Sequence, residues 1–177
     1  MLNNIVVYHA SYTIINSIDL SFSKPNKDFG PGFYVTTDHS QAVKYAHIIS
    51  KRKRIDTSYI NCYLLSDLDN LKVLEFQSAD IEWLKCISTY RNTNIINTNN
   101  TYQAKDVIIG KVADDNTNLV LNAYIRGAFG DINDIQVMEL VIKRLMTEKL
   151  TDQICFKTTN SINKLSYINS EVINVNK

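Results

Sequence analysis

His9, Tyr34 and Tyr45 are the first side chains whose types and spacing suit chemistry. His9 closes the apolar run "NIVVYHA", and a small residue, Ala10, and a hydroxyl, Ser11, surround the step that follows. An imidazole at a strand end is either a satisfied structural group or one that meets a ligand, and the Ala10 backbone leaves room beside it. Tyr34 and Tyr45 stand eleven residues apart around a turn in "DFGPGFYVTTDHSQAVKYA". Two rings so placed either bracket a flat heterocycle or join the core. The chain has only five Gly and two Pro, yet Gly30, Pro31 and Gly32 fall together just before Tyr34. Gly tolerates φ > 0 and lets a ligand or another backbone approach closely, while Pro31 stiffens the bend.

These residues need elements to hold them. "NIVVYHA" reads as a buried strand and "GFYVTT" as a second, with Tyr34 and Thr36 on one face and Phe33 and Val35 on the other. Asp38 or Ser40 can cap a helix through "QAVKYAHIISKRKR", whose second turn would carry Tyr45 back over the start of the second strand. "YINCYLLS", "KVLEF", "DVIIGKVA" and "DQICFKT" read as further strands. "SADIEWLKCISTYR" reads as a helix with Trp83 in the core, and Met138, Val141, Ile142 and Leu145 mark one face of another. Thr158 or Thr159 caps a short helix, and "YINSEVINV" would close a sheet. "NTNIINTNNTYQ" reads as a mobile loop. Strands mixed with separated helices predict an α+β fold in one domain spanning residues 1–177. The absence of GxGxxG and GxxxxGK[ST] argues against Rossmann and P-loop sites.

Bulk properties narrow the class further. In 177 residues, 45% are hydrophobic and 21% charged, as in a globular protein with a real core. The net charge of +1 gives no global field for nucleic acid or an anionic membrane. Cys62, Cys86 and Cys155 form no CxxC or Cys/His cluster, so no metal is expected. Their odd number, the lack of a signal-like N-terminus and the lack of a long apolar run point to the cytoplasm and away from a membrane. The basic run Lys51–Arg54 ends a helix and suits its dipole, the alternative being a contact with nucleic acid or a partner protein.

Taken in order, "YHAS", "DFGPGFYVTT" followed by "QAVKYA", and "DQICFKT" resemble the ADP-ribosyltransferase superfamily in its His–Tyr–Glu branch. The chain is most similar to an uncharacterised bacterial family of that superfamily with a DFGxGFYxTT motif, matched also by "WLKCISTYR" and "YQAKDVIIGKVADD". The resemblance implies split antiparallel β-sheets around a central NAD cleft and a mono-ADP-ribosyltransferase activity. It also implies a bacterial toxin, with an antitoxin protein as possible partner and a protein or nucleic acid as ADP-ribose acceptor. A catalytically silent NAD- or ADP-ribose-binding module is the alternative.

By the same resemblance, His9 holds the nicotinamide ribose, and the backbone of Ala10, with Ser11 beside it, holds the carboxamide. Tyr34 and Tyr45 sandwich the nicotinamide, Gly32 shapes the approach, and Arg91 either holds the pyrophosphate or pairs with a carboxylate. Gln153 stands where the superfamily has Glu. An amide can accept a hydrogen bond from ribose but brings no full charge and cannot act as a base. His9, Tyr34 and Gln153 are thus the expected catalytic residues. Asp28, Asp106, Asp114 and Asp115 read either as turn caps or as functional carboxylates.

Overall fold

The computed structural model describes residues 2–92, 101–112, 115–145 and 150–174, with the backbone alone at 115 and 116. Asp114 and most of "NTNIINTNNTYQ" lie outside the described residues, as does the side chain of Asp115.

Among the described residues, seven strands form two sheets. The first has three strands in the order β1 (Ile5–Ser11), β3 (Thr57–Leu65) and β7 (Leu165–Asn174), all antiparallel. The second has four in the order β2 (Phe33–Val35), β6 (Asp152–Phe156), β5 (Val107–Lys111) and β4 (Val73–Glu75). Among the described residues, five α-helices lie around them: α1 (His39–Lys53), α2 (Ile81–Arg91), α3 (Asp115–Ile125), α4 (Ile135–Arg144) and α5 (Thr159–Ile162). The fold is therefore mixed, with sheets and separated helices, as the α+β expectation has it. Within the second sheet one pair departs from the expected antiparallel pattern: β4 and β5 run parallel. The cause is connectivity, because the chain leaves β4 through α2 and re-enters the sheet in the same direction.

The two sheets meet at one isolated bridge. Tyr8 and Thr36 exchange backbone hydrogen bonds of 2.9 and 3.0 Å, which sets β1 beside β2. Alternation then sorts the side chains. Phe33 and Val35 join Val7, Tyr63, Ile154 and Phe156 in a core between the sheets. On the opposite face of the second sheet, Tyr34 and Cys155 pack with Phe29, Trp83, Leu84 and Ile87 against α2, α3 and α4. Trp83 is fully buried, and its indole N–H donates to the Lys111 carbonyl at 3.0 Å.

Helix starts follow local rules. Asp38 caps α1 through the amides of Ser40 and Gln41, Asp80 caps α2 and Asp134 caps α4. Thr158 and Ser161 form a capping box for α5. Helix α3 has no counterpart among the expected elements, although Thr117, Leu121 and Tyr124 are buried at helical spacing. Helix α1 lies on the first sheet, with Ala42 and Ala46 against Ala10, Ile60 and Cys62. Two alanines allow the close approach. That seat corrects the expectation that α1 folds back over β2.

Candidate functional site

The glycine cluster comes first, because it sets the positions of Asp28 and Tyr34. Gly30 has φ +78°, and a Cβ there would lie 2.4 Å from the Tyr90 ring. At Gly32 a Cβ would lie 2.5 Å from Cys155 Sγ and 2.7 Å from the Phe156 carbonyl oxygen. The two glycines therefore let a ring and a strand backbone come close, and only then can β2 pair with β6. Lys157 closes the loop from outside. Its Nζ donates to the Phe29 carbonyl at 2.7 Å and lies 4.5 Å from the centre of the Tyr90 ring. Burial lowers the Lys157 pKa.

Tyr34 is bound into this loop by its hydroxyl as well as its ring. The hydroxyl donates to the Gly30 carbonyl at 2.6 Å and accepts from the Phe29 amide at 3.0 Å. Burial, then the neighbouring Cys155 and Asp28, raise its pKa, so it remains a neutral donor. The Tyr34 carbonyl faces the other sheet and accepts a 2.6 Å hydrogen bond from His9 Nδ1. That bond places the proton on Nδ1 and leaves Nε2 as an acceptor. The imidazole stacks on Phe33, with centroids 4.3 Å apart. Enclosure by its neighbours lowers the His9 pKa below 6.5, outweighing the carbonyl bond that raises it, and Lys27 adds to the lowering. His9 is thus a neutral, oriented imidazole near neutral pH.

The neighbours of His9 are ordered by a row of polar groups across the first sheet. His9, Asn61 and Ser170 are successive partners on β1, β3 and β7. Asn61 is fully buried; it accepts from the Ile15 amide and the Ser170 hydroxyl, and donates to the carbonyls of Thr13 and His9. Ser11 is buried and accepts from the Thr13 amide. Ala10 is buried too, but on the opposite face, under α1. Residues 9–15 are thereby fixed.

The second polar group lies on the far face of the four-stranded sheet. Gln153 is buried on β6 beside Gly110, and its Nε2 donates to Asp28 Oδ2 at 2.8 Å. Arg91, at the end of α2, donates to Asp28 Oδ1 through Nε at 2.9 Å and through Nη2, and to Asn118 through Nη1 at 2.7 Å. The side chains of Arg91 and Asp28 are only 15% and 10% exposed, so this is a largely desolvated ion pair. Of the two readings of Arg91, the geometry supports pairing with a carboxylate.

The structure therefore gathers the sequence-derived candidates into two groups. His9 is joined to the backbone of Tyr34 and lies toward the inter-sheet core. Gln153, Arg91 and Asp28 lie on the face to which the Tyr34 ring turns. Tyr45 stands apart: it is 43% exposed on α1, and among the described residues its ring makes no aromatic contact with Tyr34. Asn61, Asn118 and Lys157 were missed, since none belongs to a spacing pattern. Asp106 is a structural cap that accepts from the Lys72 amide and from Thr158 Oγ1.

One cluster with the composition of a nucleophilic triad does not act as one. Glu171 Oε2 meets His39 Nε2 at 2.7 Å, but Oε1 faces Cys62 Sγ at 3.6 Å. Burial and then that carboxylate push the thiol up to about 11, the reverse of activation. The three cysteines are free and buried. Among the described residues no group of three or more His, Cys, Asp or Glu could hold a metal ion, and no helix is long and apolar enough to cross a membrane.

No curated protein and no solved structure matches this chain. A family model described as "Protein of unknown function (DUF3990)" matches residues 5–167. That match takes in β1 to β6 whole and the start of β7, with His9, Tyr34, Arg91 and Gln153, so the chain belongs to the DUF3990 family.

Proposed function

We propose that this protein is an NAD⁺-dependent mono-ADP-ribosyltransferase of a His–Tyr–Gln type, with an ADP-ribosyltransferase-like split-sheet fold. The observation that carries the reading is the junction of the sheets. The motifs "YHAS" and "GFYVTT" meet there through the Tyr8–Thr36 bridge, and a neutral His9 donates to Tyr34 while keeping Nε2 as an acceptor. In the proposed reaction the bond between nicotinamide and ribose C1′ breaks, and nicotinamide leaves with the bonding electrons. The acceptor nucleophile then adds to C1′ and gives up its proton to solvent. An oxocarbenium-like state of this kind needs positioning and electrostatics more than a covalent nucleophile. His9 Nε2 would accept from a ribose hydroxyl, the Ala10–Ser11 backbone and Gly32 would border the nicotinamide, and Tyr34 would flank it on one side; Tyr45, exposed on α1 and without an aromatic contact to Tyr34 among the described residues, is left out of the proposed pair. Gln153 would accept from ribose as charge develops. Arg91 would act through Asp28 rather than on the pyrophosphate.

The ADP-ribose acceptor would be a protein or nucleic acid, and the activity would suit a toxin held by an antitoxin protein. A second reading, a silent NAD- or ADP-ribose-binding module, draws on the fact that position 153 is an amide already engaged by Asp28. Nicotinamide release from NAD⁺, with and without cell lysate as acceptor source, separates the two. The transferase reading expects release by the wild type and a loss of roughly 10²–10³ in Gln153→Ala, with NAD⁺ affinity largely kept. Binding without any release would favour the silent module, and a folded protein that does not bind NAD⁺ would overturn both.

A further inference from the structure

We propose that Asp28 is a positioning residue that fixes the Gln153 amide in one orientation and so presents Gln153 Oε1 as the acceptor for a ribose hydroxyl; this rests on the transferase reading. A side-chain amide has two chemically different ends that are similar in shape. What decides which end faces inward is its partner. Asp28 Oδ2 lies 2.8 Å from Gln153 Nε2, and a carboxylate can only accept. The amide nitrogen must therefore face Asp28, and Oε1 faces away from it. Lys111 supports the same orientation, because its carbonyl, also an acceptor only, lies 3.5 Å from the same nitrogen.

Asp28 is itself held. Arg91 Nε and Nη2 both reach its Oδ1, and Asn118 holds the third guanidinium nitrogen. The order of dependence runs from Asn118 to Arg91, to Asp28 and then to Gln153. The carboxylate that the site lacks on β6 is thus present on the loop before β2, where it serves the amide rather than the ligand. This arrangement also states what a Glu at 153 would do here. It would set two carboxylates at hydrogen-bonding distance, which cannot both ionise without cost. Restoring a carboxylate on the strand therefore requires removing the one at 28.

The test is a swap of hydrogen-bond direction, read in the full chain by thermal unfolding, NAD⁺ affinity and nicotinamide release. Gln153→Glu should lose stability and release. The double variant Asp28→Asn with Gln153→Glu should regain both, because the new amide on the loop can donate where Asp28 accepted and the second oxygen of the new carboxylate then serves ribose. Asp28→Asn alone frees the Gln153 amide to turn, so release should fall roughly 10- to 100-fold, as for outer partners that orient a reacting group. A purely structural Asp28 would show Tm changes without rescue of turnover by the double variant, and that result would overturn the inference while the transferase reading stood. In the wild type without ligand, the Gln153 side-chain amide protons should exchange slowly, and rapid exchange there would also overturn it. A folded wild type that neither binds NAD⁺ nor releases nicotinamide fails differently, overturning the functional reading and with it the ribose assigned here.

Discussion

The two halves of the candidate site are built on opposite principles. His9 and Tyr34 are joined through a neutral ring and a backbone carbonyl, with Phe33 stacked on the imidazole and the uncharged Asn61 opposite His9 on β3. Gln153, Asp28 and Arg91 are joined through side chains alone, around a largely buried ion pair. The first half is tied to the sheet by main-chain geometry and tolerates change in its side chains only where the backbone keeps its path. In the second, every member depends on its partners being present, and the loss of one strands another. A buried carboxylate without its guanidinium costs far more than a neutral hydrogen bond without its donor. The two halves should therefore differ in how they fail.

The largest expected effect is in the charged half. Arg91→Met removes the guanidinium while keeping an apolar stem, and should cost about 3–5 kcal/mol by leaving Asp28 buried without compensation. Thermal or urea unfolding measures it, and adding Asp28→Asn should recover a substantial part. If Arg91→Met unfolds like the wild type, the two halves do not differ as described. Next comes Tyr34→Phe, which keeps the ring but leaves the Phe29 amide and the Gly30 carbonyl without the hydroxyl. A loss of about 1–3 kcal/mol is expected in the same assay. Stability unchanged within a few tenths would mean that the ring alone fixes the loop.

The smallest effect sharpens the neutral half. The folded state resists protonation of His9, whereas the unfolded chain takes up the proton near the usual 6.5. The unfolded state thus binds more protons below that value, so the stabilisation is complete above about pH 6.5 and declines as the pH falls below it. The slope from one such group is at most about 1.4 kcal/mol per pH unit. His9→Asn keeps a donor for the Tyr34 carbonyl and should flatten that part of the stability profile. An unchanged profile would assign the dependence to other groups.

The same division explains what could be read from the chain alone. The strands, the Asp38 and Thr158 caps, the alternation of Phe33, Tyr34 and Val35, and the buried Trp83 all follow from periodicity and local chemistry. So did the need for small residues at 30 and 32, although the contacts that demand them, Tyr90 and Phe156, come from distant parts of the chain. The Asp28–Arg91–Gln153–Asn118 group was not legible. It joins four separate segments, and each member has an ordinary local role as a turn residue, a helix end, a strand residue or an exposed-looking amide. The seat of α1 was misread for a similar reason. The spacing of Tyr45 from Tyr34 suggests one direction for the helix, but the small side chains of Ala42 and Ala46 decide which sheet it can approach. Helix α3 opens on a polar segment, and Leu121 and Tyr124 alone are too few large apolar residues to mark a helical face in the sequence.

The single bridge between the sheets has a kinetic consequence. Among the described residues, the backbone hydrogen bonds between strands of different sheets are those of the Tyr8 and Thr36 amides. Any separation of β1 from β2 must break both together, and it draws His9 away from the Tyr34 carbonyl as it does so. Those two amide protons therefore form a paired clock for the seam. Equal exchange rates at Tyr8 and Thr36, faster than those of the strand interiors, would time how often the site opens without any ligand being added.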